Sequence, residues 1–226
     1  MGALIPIGDA SRRPSRFAAV TFLLILANVF VFFLELAGGD RFVYAWSAVP
    51  ARIVYGHHWI TLFTSMFLHG SWLHIIGNMI YLWAFGPAIE DAMGRGRYLF
   101  FYLSGGLVAM ITQVAASPHS RIPALGASGA IAAVMGAFII TYPRDRIRSI
   151  VFIVFFFTIA RIPAVLLIGF WFVIQVVDQL INAGSVTNAQ SGGVAYLAHV
   201  GGFIFGVVTG RLFERSRRNS WGQNYG

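Results

Sequence analysis

Apolar residues in this chain come in long blocks, not at strand spacing or as one stripe of a helix. Predominantly apolar runs occupy 17–37, 67–89, 98–116, 125–142 and 194–213. Each approaches or exceeds the roughly 20 residues a helix needs to cross a bilayer. A further apolar stretch, 149–182, is 34 residues long. That is too long for one span and too short for two with a turn. Arg161-Ile162-Pro163 divides it, and proline is favoured at a first helical position. The fifth span is therefore placed at 163–181, with 149–160 at the inner membrane interface. The pattern predicts an all-α, polytopic membrane protein of six transmembrane helices. Residues 38–65, rich in aromatics such as Tyr44, Trp46 and Trp59, read as an external loop lying partly in the outer leaflet, because amphipathic rings favour that depth.

Polar punctuation orients these spans. All 16 basic residues are arginine. Thirteen fall on one side: Arg12, Arg13 and Arg16; Arg95 and Arg97; Arg144, Arg146 and Arg148; Arg161; and Arg211, Arg215, Arg217 and Arg218. Three, Arg41, Arg52 and Arg121, fall on the other. Arginine collects on the cytoplasmic side, so both termini are expected inside. The expected organisation is a cytoplasmic tail over 1–16, a membrane domain over 17–213 and a second tail over 214–226. The formal charge of +8 is accounted for by topology, and no nucleic-acid partner is expected. With 58% apolar and 11% charged residues, the expected surroundings are membrane lipids. The chain has no cysteine, which excludes a thiol nucleophile and cysteine metal sites.

Polar residues inside a membrane are costly and need a reason. Ser128 lies seven residues past Arg121, roughly 10 Å below the outer surface at the rise of an α-helix. His199 lies six residues past Gly193, roughly 9 Å down. His74 and Asn78 lie about as deep in the second span, one turn apart on one face. Three spans thus bring Ser, His, His and Asn to one layer. That set suits acyl transfer. His199 could take the proton of Ser128 and later return it to a leaving amine. His74, Asn78 and the amide of Ser128 could hold the oxyanion. No carboxylate lies at matching depth beside His199, so a dyad is expected and not a triad. Glu35, Gln113 and Asp178 read as buried hydrogen-bonding or boundary residues, with Glu35 at the outer end of the first span, where a carboxylate can reach water.

Small residues recur every fourth position: Ser128, Ala132 and Gly136 on span four; Ala198, Gly202, Gly206 and Gly210 on span six. Such ridges allow backbones to approach closely, and their packing would bring Ser128 to His199. Three blander readings compete. Ser128 could be packing alone. His69, His74 and His199 could hold a metal, but no carboxylate or tight spacing supports this. A transporter should show repeats or a charged midplane pathway, and neither is visible.

The motifs together resemble the rhomboid family of intramembrane serine proteases. They are Gly126-Ala127-Ser128-Gly129, then Ala198-His199-Val200-Gly201-Gly202 with Gly206, and His74-Ile75-Ile76-Gly77-Asn78. Met66-Phe67-Leu68-His69-Gly70 and Gly86-Pro87-Ala88-Ile89-Glu90-Asp91 flank the second span in the same order. The resemblance is to the family's six-helix core. It implies a Ser128–His199 dyad, an oxyanion site of His74, Asn78 and the Ser128 amide, and close-packing glycines at 126, 129, 202 and 206. It implies cleavage of other proteins' transmembrane segments near the outer face, with no metal and no cofactor, in a bacterial inner membrane. The alternative is a catalytically silent relative that binds membrane clients. Two departures stand out. Some members carry a tyrosine four residues after the serine that stacks on the histidine; here Ala132 occupies that position, which leaves open what orients His199. A Trp-Arg pair common in the first external loop is absent, with Trp46 and Arg52 standing apart.

Overall fold

A computed structural model describes residues 4–11, 16–153, 156–182 and 196–215. Arg12, Arg13, Arg217, Arg218, the side chain of Asp178 and the expected outer loop 184–193 lie outside the described residues. The chain is a helical membrane bundle with a small sheet at one end. In order it forms β1 (Leu4–Asp9), α1 (Ala19–Trp46), the short α2 (Pro50–Val54) and α3 (Thr61–Thr64), and α4 (Trp72–Met93). These are followed by α5 (Arg95–Ala116), α6 (Ser128–Thr141), β2 (Arg146–Ile153), β3 (Phe156–Pro163), α7 (Ala164–Asn182) and α8 (Tyr196–Phe213). The six apolar segments read from the sequence correspond to α1, α4, α5, α6, α7 and α8. Of these, α1, α4 and α5 are each long and apolar enough to cross a membrane.

The helix α6 is short, and this sets the depth of the site. Its 14 residues span roughly 21 Å against a hydrocarbon thickness of about 30 Å. With its far end followed by the exposed Pro143 and Arg144, a helix of this length set with that end at one surface would leave its first residue, Ser128, short of the other. The core around α6 is aromatic. Phe85, Tyr98, Phe101, Tyr102 and Phe138 are fully buried, and Phe85 meets Phe138 edge-on at 5.2 Å. The most extensive helix contact is between α6 and α8, as the small-residue ridges predict. A Cβ added to Gly206 would overlap the carbonyl of Ala133, and one added to Gly202 the carbonyl of Gly129.

Two buried carboxylates tie the helix ends together. Glu90, near the end of α4, accepts from the amides of Val20 (3.0 Å) and Thr21 (2.8 Å) and from the Thr21 hydroxyl (2.8 Å). It serves the amides that the first turn of α1 leaves without intrahelical partners. Of the two readings of Glu35, the buried hydrogen-bonding one holds, and the carboxylate does not reach out to water. It is buried and accepts from the His69 amide at 2.9 Å, anchoring the chain ahead of α4 to α1.

The sheet is the main departure from the sequence reading. Within the stretch expected at the inner interface, residues 149–153 belong to β2 and residues 156–160 to β3, which pair antiparallel. Residues 4–9, expected within a terminal tail, pair antiparallel with β2, giving the order β1-β2-β3. An apolar run rich in Val, Ile and Phe suits a strand as well as an interfacial segment. The pairing with β1, more than 130 positions earlier, leaves no local signature. The first helix also runs further than expected, to Trp46, across a kink at Gly39, where φ is +60°.

Candidate active site

Ser128 opens α6, and Gly126 makes that start possible. Gly126 has φ +127°, a conformation that favours glycine, and its amide donates to the Ser65 carbonyl at 2.9 Å. A side chain there would come within 2.9 Å of His74 Nε2 and 3.4 Å of the Ser128 hydroxyl. Glycine is thus required both for the turn and for the space that Ser128 and His74 share. The segment is pinned from outside by paired backbone bonds between Ala48 and Ala124. As a first-turn residue, Ser128 carries one of the amides that an α-helix does not consume.

His199 reaches the same point from α8. Gly202 and Gly206 let that helix lie against the carbonyls of α6. Nε2 of His199 sits 2.6 Å from the Ser128 hydroxyl oxygen. His199 is buried, at 4% exposure, whereas Ser128 is half-buried. The pair therefore has a protected base and a hydroxyl that can be approached.

The third contribution comes from α4. Ser71 caps this helix, its hydroxyl accepting from the His74 amide at 3.2 Å, a favoured N-cap residue. The cap fixes the turn that carries His74, whose ring lies 5.1 Å from that of His69. Asn78, one turn on, is buried, and its side-chain Nδ2 has no hydrogen-bond partner among the described residues. A buried amide donor with no partner is costly and stands ready for an incoming acceptor. The structure thus joins Ser128 to His199 directly and sets His74 beside Gly126 and Ser128. It places Asn78 one turn beyond His74 on α4.

The chain belongs to the rhomboid family. The family's model, the Rhomboid domain, matches residues 56–216, most of the chain and all of the site. Rhomboid protease GluP of Bacillus subtilis is 29% identical over 210 residues, 90% of this chain and 36% of that protein. The mitochondrial Presenilin-associated rhomboid-like protein of Bos taurus is 29% identical over 190 residues, 81% of this chain and 46% of that protein. Rhomboid protein 1, mitochondrial, of Saccharomyces cerevisiae is 27% identical over 161 residues, 70% of this chain and 42% of that protein. The chain thus spans less than half the length of these relatives. The rhomboid fold is that of an integral membrane protein, and the family's function is of the intramembrane protease type.

Two features of this rhomboid's site were not read from the sequence. Trp171 of α7 lies 5.5 Å from His199 between ring centroids, tilted by 48°, and also meets Tyr81 of α4 at 6.3 Å. It supplies an aromatic neighbour where Ala132 cannot. A signal was available. Tryptophan concentrates at membrane interfaces, but Trp171 stands eight residues into its span from Pro163, roughly 12 Å deep. The second feature is the bond from the His69 amide to Glu35, which joins residues on opposite sides of the external loop. Arg52, expected apart from Trp46, stacks instead over the Tyr44 ring at 4.0 Å.

Proposed function

We propose that this rhomboid is a serine endopeptidase that cleaves transmembrane segments of other proteins through Ser128 and His199. The observation that carries this reading is the 2.6 Å contact between the Ser128 hydroxyl and His199 Nε2, within a family of intramembrane protease type. With the proton on Nδ1, Nε2 accepts the hydroxyl proton as Ser128 Oγ attacks the scissile carbonyl. The new C–O bond pushes the carbonyl electrons onto oxygen. The Ser128 amide, Asn78 Nδ2 and His74 are the donors assigned to that oxyanion. Collapse expels the amine, which takes the proton back from His199, and leaves an acyl-enzyme. Water, deprotonated by the same imidazole, then attacks the ester carbonyl, and Ser128 recovers its proton.

The site's position below the surface at the end away from the β-sheet supports cleavage near one membrane face. By the distribution of arginines this is the outer face, with both termini in the cytoplasm. The relatives come from a bacterium and from mitochondria, and the bacterial inner membrane is part of this proposal, not a finding about this chain.

The test is cleavage of a model transmembrane substrate by wild type, Ser128→Ala and His199→Ala, with product masses to locate the cut. Equal cleavage by all three ends the reading. Fluorophosphonate labelling of Ser128 separates a protease from a silent client-binding relative: labelling of wild type and not of Ser128→Ala is expected, and its absence favours the binder.

A further inference from the structure

At the end opposite the site, between β1, the segment leading into α1, α4 and the strands β2 and β3, lies a cavity of about 950 Å³. Among the described residues its charged lining is Arg16, Arg148 and Arg161 together with Asp9 and Asp91. Among the described residues, three guanidinium groups stand with two carboxylates in this lining. Arg148 and Arg161 are direct cross-strand partners in the β2–β3 hairpin. Like charges directly opposite destabilise a strand pair, and an anion between two guanidinium groups reverses that sign.

The cavity does not end at its polar lining. A second, apolar groove of about 590 Å³ continues from it along α1 and α4. Ile7 and Trp83 line both spaces. Beyond them the walls run along Ile25, Val29 and Phe32 of α1 and along Ile80, Ile76 and Trp72 of α4. From Asp91 at the polar end to Trp72 at the far end of the groove, α4 rises roughly 28 Å. That is close to the full hydrocarbon core of about 30 Å, so an acyl chain of one leaflet would fill the half of the groove nearest the polar end.

We propose that these two spaces form a binding site for one glycerophospholipid of the leaflet at the arginine-rich end. Its phosphodiester lies between Arg148 and Arg161, and one acyl chain passes Ile7 and Trp83 into the groove between α1 and α4. A phosphodiester carries one negative charge, which the facing guanidinium groups of Arg148 and Arg161 would balance. The apolar continuation selects a lipid over a free anion, since a soluble phosphate would leave the groove unfilled. The occupant also bridges β1 and the hairpin to the helices, linking the sheet to the bundle on the face away from Ser128.

Native mass spectrometry tests this without reference to proteolysis. The full chain is released from vesicles containing phosphatidylglycerol, and separately from vesicles in which diacylglycerol replaces it. Wild type is expected to retain one phosphatidylglycerol and no diacylglycerol. Arg148→Gln combined with Arg161→Gln should cut retention by about tenfold or more. Val29→Trp, which fills the groove and leaves every charge in place, should do the same. Helical content by circular dichroism selects folded variants, and Val29→Trp keeps the test alive if the double variant does not assemble. Equal retention by wild type and a folded variant overturns the proposal. So does binding of glycerol 3-phosphate as strong as that of the lipid, which would mark a free-anion site. Displacement of the lipid by a transmembrane substrate peptide at equal concentration would mark a peptide groove, and likewise overturns it.

Discussion

The indole of Trp171 lies 5.5 Å from the imidazole of His199, tilted by 48°, so a residue of α7 flanks the ring that contacts Ser128. Such a contact is worth about 0.5–1.5 kcal/mol, enough to bias a ring between orientations. Trp171→Ala should lower kcat by roughly three- to tenfold with little change in KM. Trp171→Phe should restore most of the rate. Loss of fold in Trp171→Ala, or equal losses in both variants, would point to packing instead of positioning.

Removing either member of the Ser128–His199 pair should lower cleavage by roughly a thousandfold or more. Because the two act as a unit, the double variant should be no worse than the poorer single one. Additive losses measured under single-turnover conditions would mean that the groups act in separate steps.

The Nδ2 of Asn78, without a partner among the described residues, leads to a separable expectation. An oxyanion donor contributes in the transition state more than in substrate binding. Asn78→Ala should therefore reduce kcat by about a hundredfold and leave KM nearly unchanged. It should also preserve thermal stability, since the wild-type donor is unsatisfied at rest. A change confined to KM would remove Asn78 from the oxyanion site.

Gly206→Val tests the contact on which the dyad distance depends. Any Cβ there meets the Ala133 carbonyl, so α6 and α8 must separate. Overpacking of this kind costs about 1–3 kcal/mol. Cleavage should fall together with Tm, whereas Ser128→Ala should remove cleavage and leave Tm unchanged.

Glu90→Gln probes the opposite end. Its oxygens accept two amides and a hydroxyl from the first turn of α1, and the substitution turns an amide NH₂ toward donors. A loss of about 1–3 kcal/mol is expected in chemical unfolding, with the cleavage rate of the folded fraction unchanged.

These expectations divide by where their warrant lies. The six apolar segments are legible in the sequence because a bilayer leaves the backbone few ways to satisfy its polar groups, and an apolar run of about 20 residues resolves into a helix. Ser128, His74, Asn78 and His199 are legible because polar side chains in such runs stand out, and counting helical rise puts them at one depth. The period-four glycines foretell which helices touch, since removing side chains has one local geometric consequence. What no local pattern carries is pairing across long separations. Glu90 reads only as part of a motif flanking the second span until α1 is laid against it. Residues 149–160 read as an interfacial segment until residues 4–9 supply a third strand. Trp171 becomes the neighbour of His199 only once α7 is packed beside α8. The chain's order of polar and apolar groups determined which segments leave water and which side chains are costly there. Tertiary packing decided which of those costly groups meet, because a hydrogen bond or ring contact depends on distances that successive residues do not encode.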